Sequence, residues 1–283
     1  MQLGFAFARA PAPLFEAVDW HASPGRVEAL LGPNGSGKTT LLRLLSGELT
    51  PSAGRVLLDG RSLSDWPTDA LARRRAFLSQ SPRLDFAFSV REVLLMGRAP
   101  YVSRSDRADD AAIIDQLVEE LDLHTLAERP FPALSRGEKQ RVQLGRVLAQ
   151  LEEARGQSHL LFLDEPVNHL DLAHQHLALA VARRRAARGH SVIVVLHDLN
   201  LALRYADTAT ILDRGRIAAR GDPERVLTRE CLASVFGVEG ALVQATGSPP
   251  HLVVTGPAAS GRGVGSASDP AHTLPDPPRS PQK

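Results

Sequence analysis

The chain has 283 residues, a formal net charge of +1 and a single cysteine. That is long enough for one large or two small domains with a buried core. Near-neutral charge argues against a nucleic-acid binder, whose footprint is a basic excess, and the lone Cys231 cannot close an intramolecular disulfide, which fits a reducing compartment. The opening Met1–Gly4 has neither a basic run nor a long apolar one, so it does not read as a signal peptide. No stretch reaches the ~18 apolar residues of a membrane span.

In chain order, 26–31 reads as a buried strand, followed by a Gly-rich turn and a helix over 38–45 closed by Gly47. Residues 54–58 and 76–78 read as further strands. A mostly helical block then runs from 89 to 151, with candidate capping boxes at Ser89/Glu92 and Ser135/Glu138. Alternation resumes with strand 159–163, helix 172–188 and strand 191–196. A hairpin-like pair follows at 208–213 and 216–220, turned at Arg214-Gly215, and Asp222-Pro223 opens a short helix. This succession predicts an α/β fold. From about 246 onward Gly, Pro and Ser dominate, and 246–283 is expected to be a disordered tail behind a domain spanning 1–245.

The chemistry begins at Gly32-Pro33-Asn34-Gly35-Ser36-Gly37-Lys38-Thr39-Thr40, which fits G-x-x-x-x-G-K-[ST] between a strand and a helix. Glycines let successive backbone N–H groups ring a phosphate, and the helix N-terminus adds partial positive charge. Lys38 would reach the β- and γ-phosphates of a nucleoside triphosphate, and the Thr39 hydroxyl would ligate Mg²⁺. A second apolar strand ends in Asp164-Glu165, beside the first cradle in such a sheet. Asp164 is expected in the Mg²⁺ shell and Glu165 as the base that polarises the attacking water. Gln80 and His197, each just after an apolar strand, are expected near the metal and attacking water and near the γ-phosphate respectively.

Leu134-Ser135-Arg136-Gly137-Glu138-Lys139-Gln140-Arg141-Val142 resembles the signature of ABC ATPases. The cradle, Gln80, Asp164-Glu165, Asn168-His169-Leu170-Asp171 and His197 stand in that family's order, and the resemblance covers about 14–240. It implies a P-loop α/β ATP-binding domain with a small β subdomain and a helical subdomain over about 86–151, working with ATP and Mg²⁺. It further implies a head-to-tail dimer of two copies. In it Ser135, Arg136, Gly137 and Glu138 of one subunit would face the ATP held by the other, and Asp171 would lie at the junction. Arg136 departs from the usual signature glycine, Val167 replaces a common threonine, and the usual adenine-stacking aromatic is missing near Arg9, where Phe7 or the Arg9 guanidinium could substitute.

Val93–Arg98 and Val235–Val238 resemble the iron-chelate, haem and cobalamin importer branch, and 70–76 and 170–175 resemble its hemin-import ATP-binding subunits. The implied partners are transmembrane permease subunits and, indirectly, a periplasmic haem-binding protein, with no nucleic acid. The implied place is the cytoplasmic face of the inner membrane. Ferric-siderophore or cobalamin import is the alternative cargo. A soluble ABC ATPase is the alternative class, but it would carry tandem cassettes or a coiled-coil insertion, and the sequence has neither.

Overall fold

The computed structural model describes residues 3–6, 12–79, 87–102, 107–152, 158–244 and 250–258. Its strands are β1 (Leu3–Phe5), β2 (Phe15–Val18), β3 (Val27–Leu31), β4 (Leu57–Leu58), β5 (Arg61–Ser62), β6 (Arg75–Leu78), β7 (Leu160–Asp164), β8 (Ser191–Val195), β9 (Thr208–Asp213), β10 (Arg216–Gly221), β11 (Val238–Val243) and β12 (His251–Pro257). The helices are α1 (Lys38–Ser46), α2 (Thr68–Arg74), α3 (Val90–Met96), α4 (Arg107–Glu120), α5 (Arg136–Leu151), α6 (Leu172–Ala187), α7 (Leu199–Tyr205) and α8 (Pro223–Val226).

Six strands form the central sheet in the order β10-β9-β3-β8-β7-β6, parallel except for β10. Its middle strands are apolar on both faces because both faces are covered. Leu30, Phe162, Ile193 and Val195 pack with α1 and the β1–β2 pair, while Ala29, Leu31, Leu161, Leu163, Val192 and Val194 pack with α5, α6 and the helical region. Parallel register brings the carboxyl ends of β3, β6, β7 and β8 to one rim of the sheet.

The helical region begins and ends with capped helices. Ser89 accepts from the Glu92 N–H while the Glu92 carboxylate accepts from the Ser89 N–H, and Ser135 and Glu138 repeat the arrangement at α5. Buried arginines fasten this region to itself and to the sheet layer. Arg98 binds Asp110 at 2.7 Å and donates to Ala149 O, and Arg185, 2% exposed along its side chain, pairs with Glu120 at 2.6 Å and Glu152 at 2.7 Å. Gly97 lets α3 cross α5 closely: a Cβ there would fall 2.1 Å from Arg146 O.

Two expectations need correction. The strand expected over 54–58 shrinks to β4, paired only with β5. The tail expected from 246 is partly folded: β12 pairs antiparallel with β11, Leu242 opposite Leu252, and Leu252 is buried. Composition misled because Gly and Pro flank a short β-branched run at 253–255, which a partner strand stabilises. The rest of the expected tail, 245–249 and 259–283, lies outside the described residues.

Candidate functional site

Strand β3 ends at Leu31 and the chain turns through Gly32 (φ 146°), Gly35 (φ 76°) and Gly37 (φ 103°) before entering α1. At Gly37 a Cβ would also meet the Phe15 ring at 2.8 Å. Gly37 is the N-cap of α1 and offers no side chain, so the first-turn N–H groups carry no side-chain cap. Lys38 is buried beneath the turn and donates to Gly32 O at 2.8 Å and Pro33 O at 3.0 Å. Burial pulls its ammonium below the usual lysine range, against the opposing pull of Glu165 and Asp164. The Ser36 hydroxyl is buried without a hydrogen-bond partner, a donor held inside the cradle. Pro33, Asn34 and Thr40 complete the turn and the helix's first residues.

Asp164 closes β7 and Thr39 is the second residue of α1, and the Thr39 hydroxyl donates to Asp164 Oδ1 at 3.1 Å. Burial pushes the Asp164 carboxyl up to about 6, with the Thr39 hydrogen bond pulling the other way. Glu165 follows with a left-handed backbone, φ 52°. Its Oε1 lies 2.6 Å from His197 Nε2, Asn168 Nδ2 donates to Oε2, and Gln140 Nε2 donates to its backbone carbonyl at 3.4 Å. His197 comes from the end of β8, between β3 and β7, and is 42% exposed at its side chain. Thus residues far apart in the chain share one rim: the cradle from β3, Asp164-Glu165 from β7 and His197 from β8. Such a rim can hold a polyphosphate beside a carboxylate pair and an imidazole.

The signature segment lies elsewhere on the surface. Ser135 and Arg136 are exposed at the N-terminus of α5, and Gly137 packs so tightly on the next loop that a Cβ would fall 2.7 Å from His169 O. Asp171 is the N-cap of α6, its carboxylate accepting from the His174 N–H at 2.9 Å, and this hydrogen bond holds it below the usual carboxylate range. Of the expected site residues Gln80 lies outside the described residues, as do Phe7 and Arg9. Asn168 and Gln140 enter as the partners of Glu165. Asn168 follows the carboxylate by three residues, a spacing the sequence displays but does not explain.

Comparisons with known proteins agree with this geometry. The sequence model of the ABC transporter family matches residues 15–168. The Hemin import ATP-binding protein HmuV of Myxococcus xanthus (strain DK1622) is 48% identical over 238 residues, covering 84% of this chain and 89% of that protein. Its namesake in Pseudomonas entomophila (strain L48) is 46% identical over 253 residues, 89% of this chain and 98% of that protein. A solved ABC transporter of metal-chelate type, in an inward-facing conformation, is similar at 28% identity and TM-score 0.73, over 90% of this chain and 95% of that one. The ATP-binding subunit of another ABC transporter is similar at 25% identity and TM-score 0.70, over 83% and 93%. The chain belongs to the ABC transporter family, as an ATP-binding and ATP-hydrolysing subunit.

Proposed function

We propose that this subunit energises the import of haem through a partner permease, working as a head-to-tail dimer with Mg²⁺ and ATP at the membrane's cytoplasmic face. The observation that carries the cargo is similarity to hemin-import ATP-binding proteins over nearly their full length, up to 98% of one of them. Among the described residues no helix is long and apolar enough to cross a membrane, so contact with the bilayer would run through the permease. A periplasmic haem-binding protein would act upstream of that permease. The ten histidines carry no weight for cargo, because this subunit need not touch it.

The mechanism follows from the rim. Gly32 to Thr40 would wrap the phosphates in backbone N–H groups at the α1 N-terminus, and Lys38 would exchange its carbonyl partners for β- and γ-phosphate oxygens. The donor set of Thr39 and Asp164 fits Mg²⁺, which typically takes one or two protein oxygens plus substrate phosphates. Gln80 would join that shell. Bound there, the ion would neutralise charge on the β- and γ-phosphates. Glu165, held at both oxygens by His197 and Asn168, would accept a proton from the attacking water. His197 would hydrogen-bond the γ-phosphate while keeping the carboxylate aimed. Ser135 to Glu138 of the second copy would close the nucleotide from the far side, and Asp171 would meet that copy at the junction.

The test is reconstitution with the co-encoded permease in proteoliposomes, comparing ATP-driven uptake of haem, a ferric siderophore and cobalamin. Haem uptake alone is expected. Uptake of the ferric chelate instead would replace the reading with its alternative, which the metal-chelate relative favours.

A further inference from the structure

His197 sits in a short span of chain pinned at both ends. Before it, the Leu196 N–H donates to Leu30 O at 3.3 Å, fixing the end of β8 to β3. After it, Leu201 and Ala202 are buried in the core. Between them two attachments hold the chain. Asp198 caps α7, accepting from the N–H groups of Asn200 at 2.7 Å and Leu201 at 3.3 Å. Asn200 then reaches out of the helix to β12: its Nδ2 donates to Leu252 O at 3.2 Å and its Oδ1 accepts from the Leu252 N–H at 2.7 Å.

These paired bonds are the pattern a neighbouring strand would make, so one side chain serves as a third strand along the β12 edge. The hairpin that receives it is itself anchored. Leu232 and Val235, in the helical turns at 229–236 that precede β11, are buried, and the Ala258 N–H returns to Gly237 O at 3.0 Å. Helix α7 has seven residues, too few to hold its own geometry. The direction of its first turn, one turn from His197, is therefore set by what grips it.

We infer that Asn200 is a positioning residue for hydrolysis: by clamping α7 to the C-terminal hairpin it sets where the His197 imidazole lies relative to Glu165 and the γ-phosphate. This rests on the role proposed above for His197. It gives the β11–β12 hairpin a part in the ATPase cycle, where a mere surface attachment would give it none.

The experiment measures kcat and KM for ATP on the full-length protein carrying Asn200→Leu, Asn200→Asp, His197→Ala and the double change Asn200→Leu/His197→Ala, with single-turnover rates for the slow variants. Asn200→Leu, which keeps shape and loses both bonds, is expected to lower kcat about tenfold with KM unchanged. Asn200→Asp, which still accepts from the Leu252 N–H but sets a carboxylate oxygen against Leu252 O, should lose about as much. In the His197→Ala background Asn200→Leu should change nothing further. The inference is overturned if Asn200→Leu turns over at the wild-type rate, or slows the His197→Ala protein by the same factor as the wild type. If Asn200→Leu does not fold, Asn200→Asp decides: it must shift the ¹⁵N resonances of the His197 imidazole as it lowers kcat, and an unmoved imidazole sinks the proposal. A His197→Ala protein as fast as wild type would instead bring down the role of His197 itself.

Discussion

The two helix N-termini proposed to meet phosphate are built in opposite ways. Helix α1 starts at Gly37 with no side-chain cap and no acidic residue in its first turn. Helix α5 starts at Ser135 with a complete capping box and Glu138 in its first turn. The Glu138 carboxylate accepts from the Ser135 N–H at 2.7 Å, and that bond holds it below the usual carboxylate range. At α1 the dipole and the orphan N–H groups are left for a ligand, whereas at α5 an internal anion already satisfies part of them. On the proposed roles, α1 is a standing cradle and α5 a weaker partner that would add a phosphate only by sharing its N–H groups with its own carboxylate. Nucleotide should therefore bind first to α1, and α5 of the second copy should close on it.

Changes on the cradle side should cost most. Glu165→Gln should lower turnover by about 10²–10⁴-fold while ATP still binds and traps the closed dimer, measured by ATPase rate and size-exclusion chromatography. Turnover at the wild-type rate would remove Glu165 from the mechanism. Next, Lys38→Ala should weaken ATP binding more than tenfold by calorimetry, the loss of a charge-assisted contact worth about 1.5–3 kcal/mol. Equal affinity would dissolve the contrast between the two helix ends.

Asp164 gives the comparison a pH axis. Burial pushes its folded carboxyl up to about 6, above the ordinary aspartate range, so between the two the folded protein holds a proton the unfolded chain has lost. Ligand-free stability from this group therefore falls as pH rises from about 4 to about 6. Asp164→Asn should unfold at a higher temperature than wild type at neutral pH and hydrolyse no ATP; a lower melting temperature would contradict the burial argument. The smallest effect sits on the signature side. Glu138→Gln keeps a capping box and removes the charge, and should tighten nucleotide-driven dimerisation about two- to fivefold at low salt. No change would mean that Glu138 does not compete with phosphate.

How much of this was legible follows the range of the interactions. The cradle, both capping boxes and the strand ends at Asp164 and His197 depend on residues within a few positions of one another, and the sequence displays them. The β1–β2 pair, at three and four residues, gave too little periodicity to detect. Helix α7 was missed because its seven residues barely complete two turns. The β11–β12 hairpin hid behind its Gly- and Pro-rich flanks, and its clamp links Asn200 to a backbone 52 residues away. Cargo leaves no mark on the rim; the proposal of haem rests on likeness to other chains.

The left-handed backbone at Glu165 carries one more consequence. A non-glycine residue held there costs on the order of 1–3 kcal/mol, a sizeable share of what keeps a domain folded. Glycine at 165 would relieve that backbone only by giving up the bonds Glu165 makes to His197 and Asn168, whereas asparagine at 164 would remove a buried charge outright. On the roles proposed for the two carboxylates, either change would cost the protein its hydrolysis.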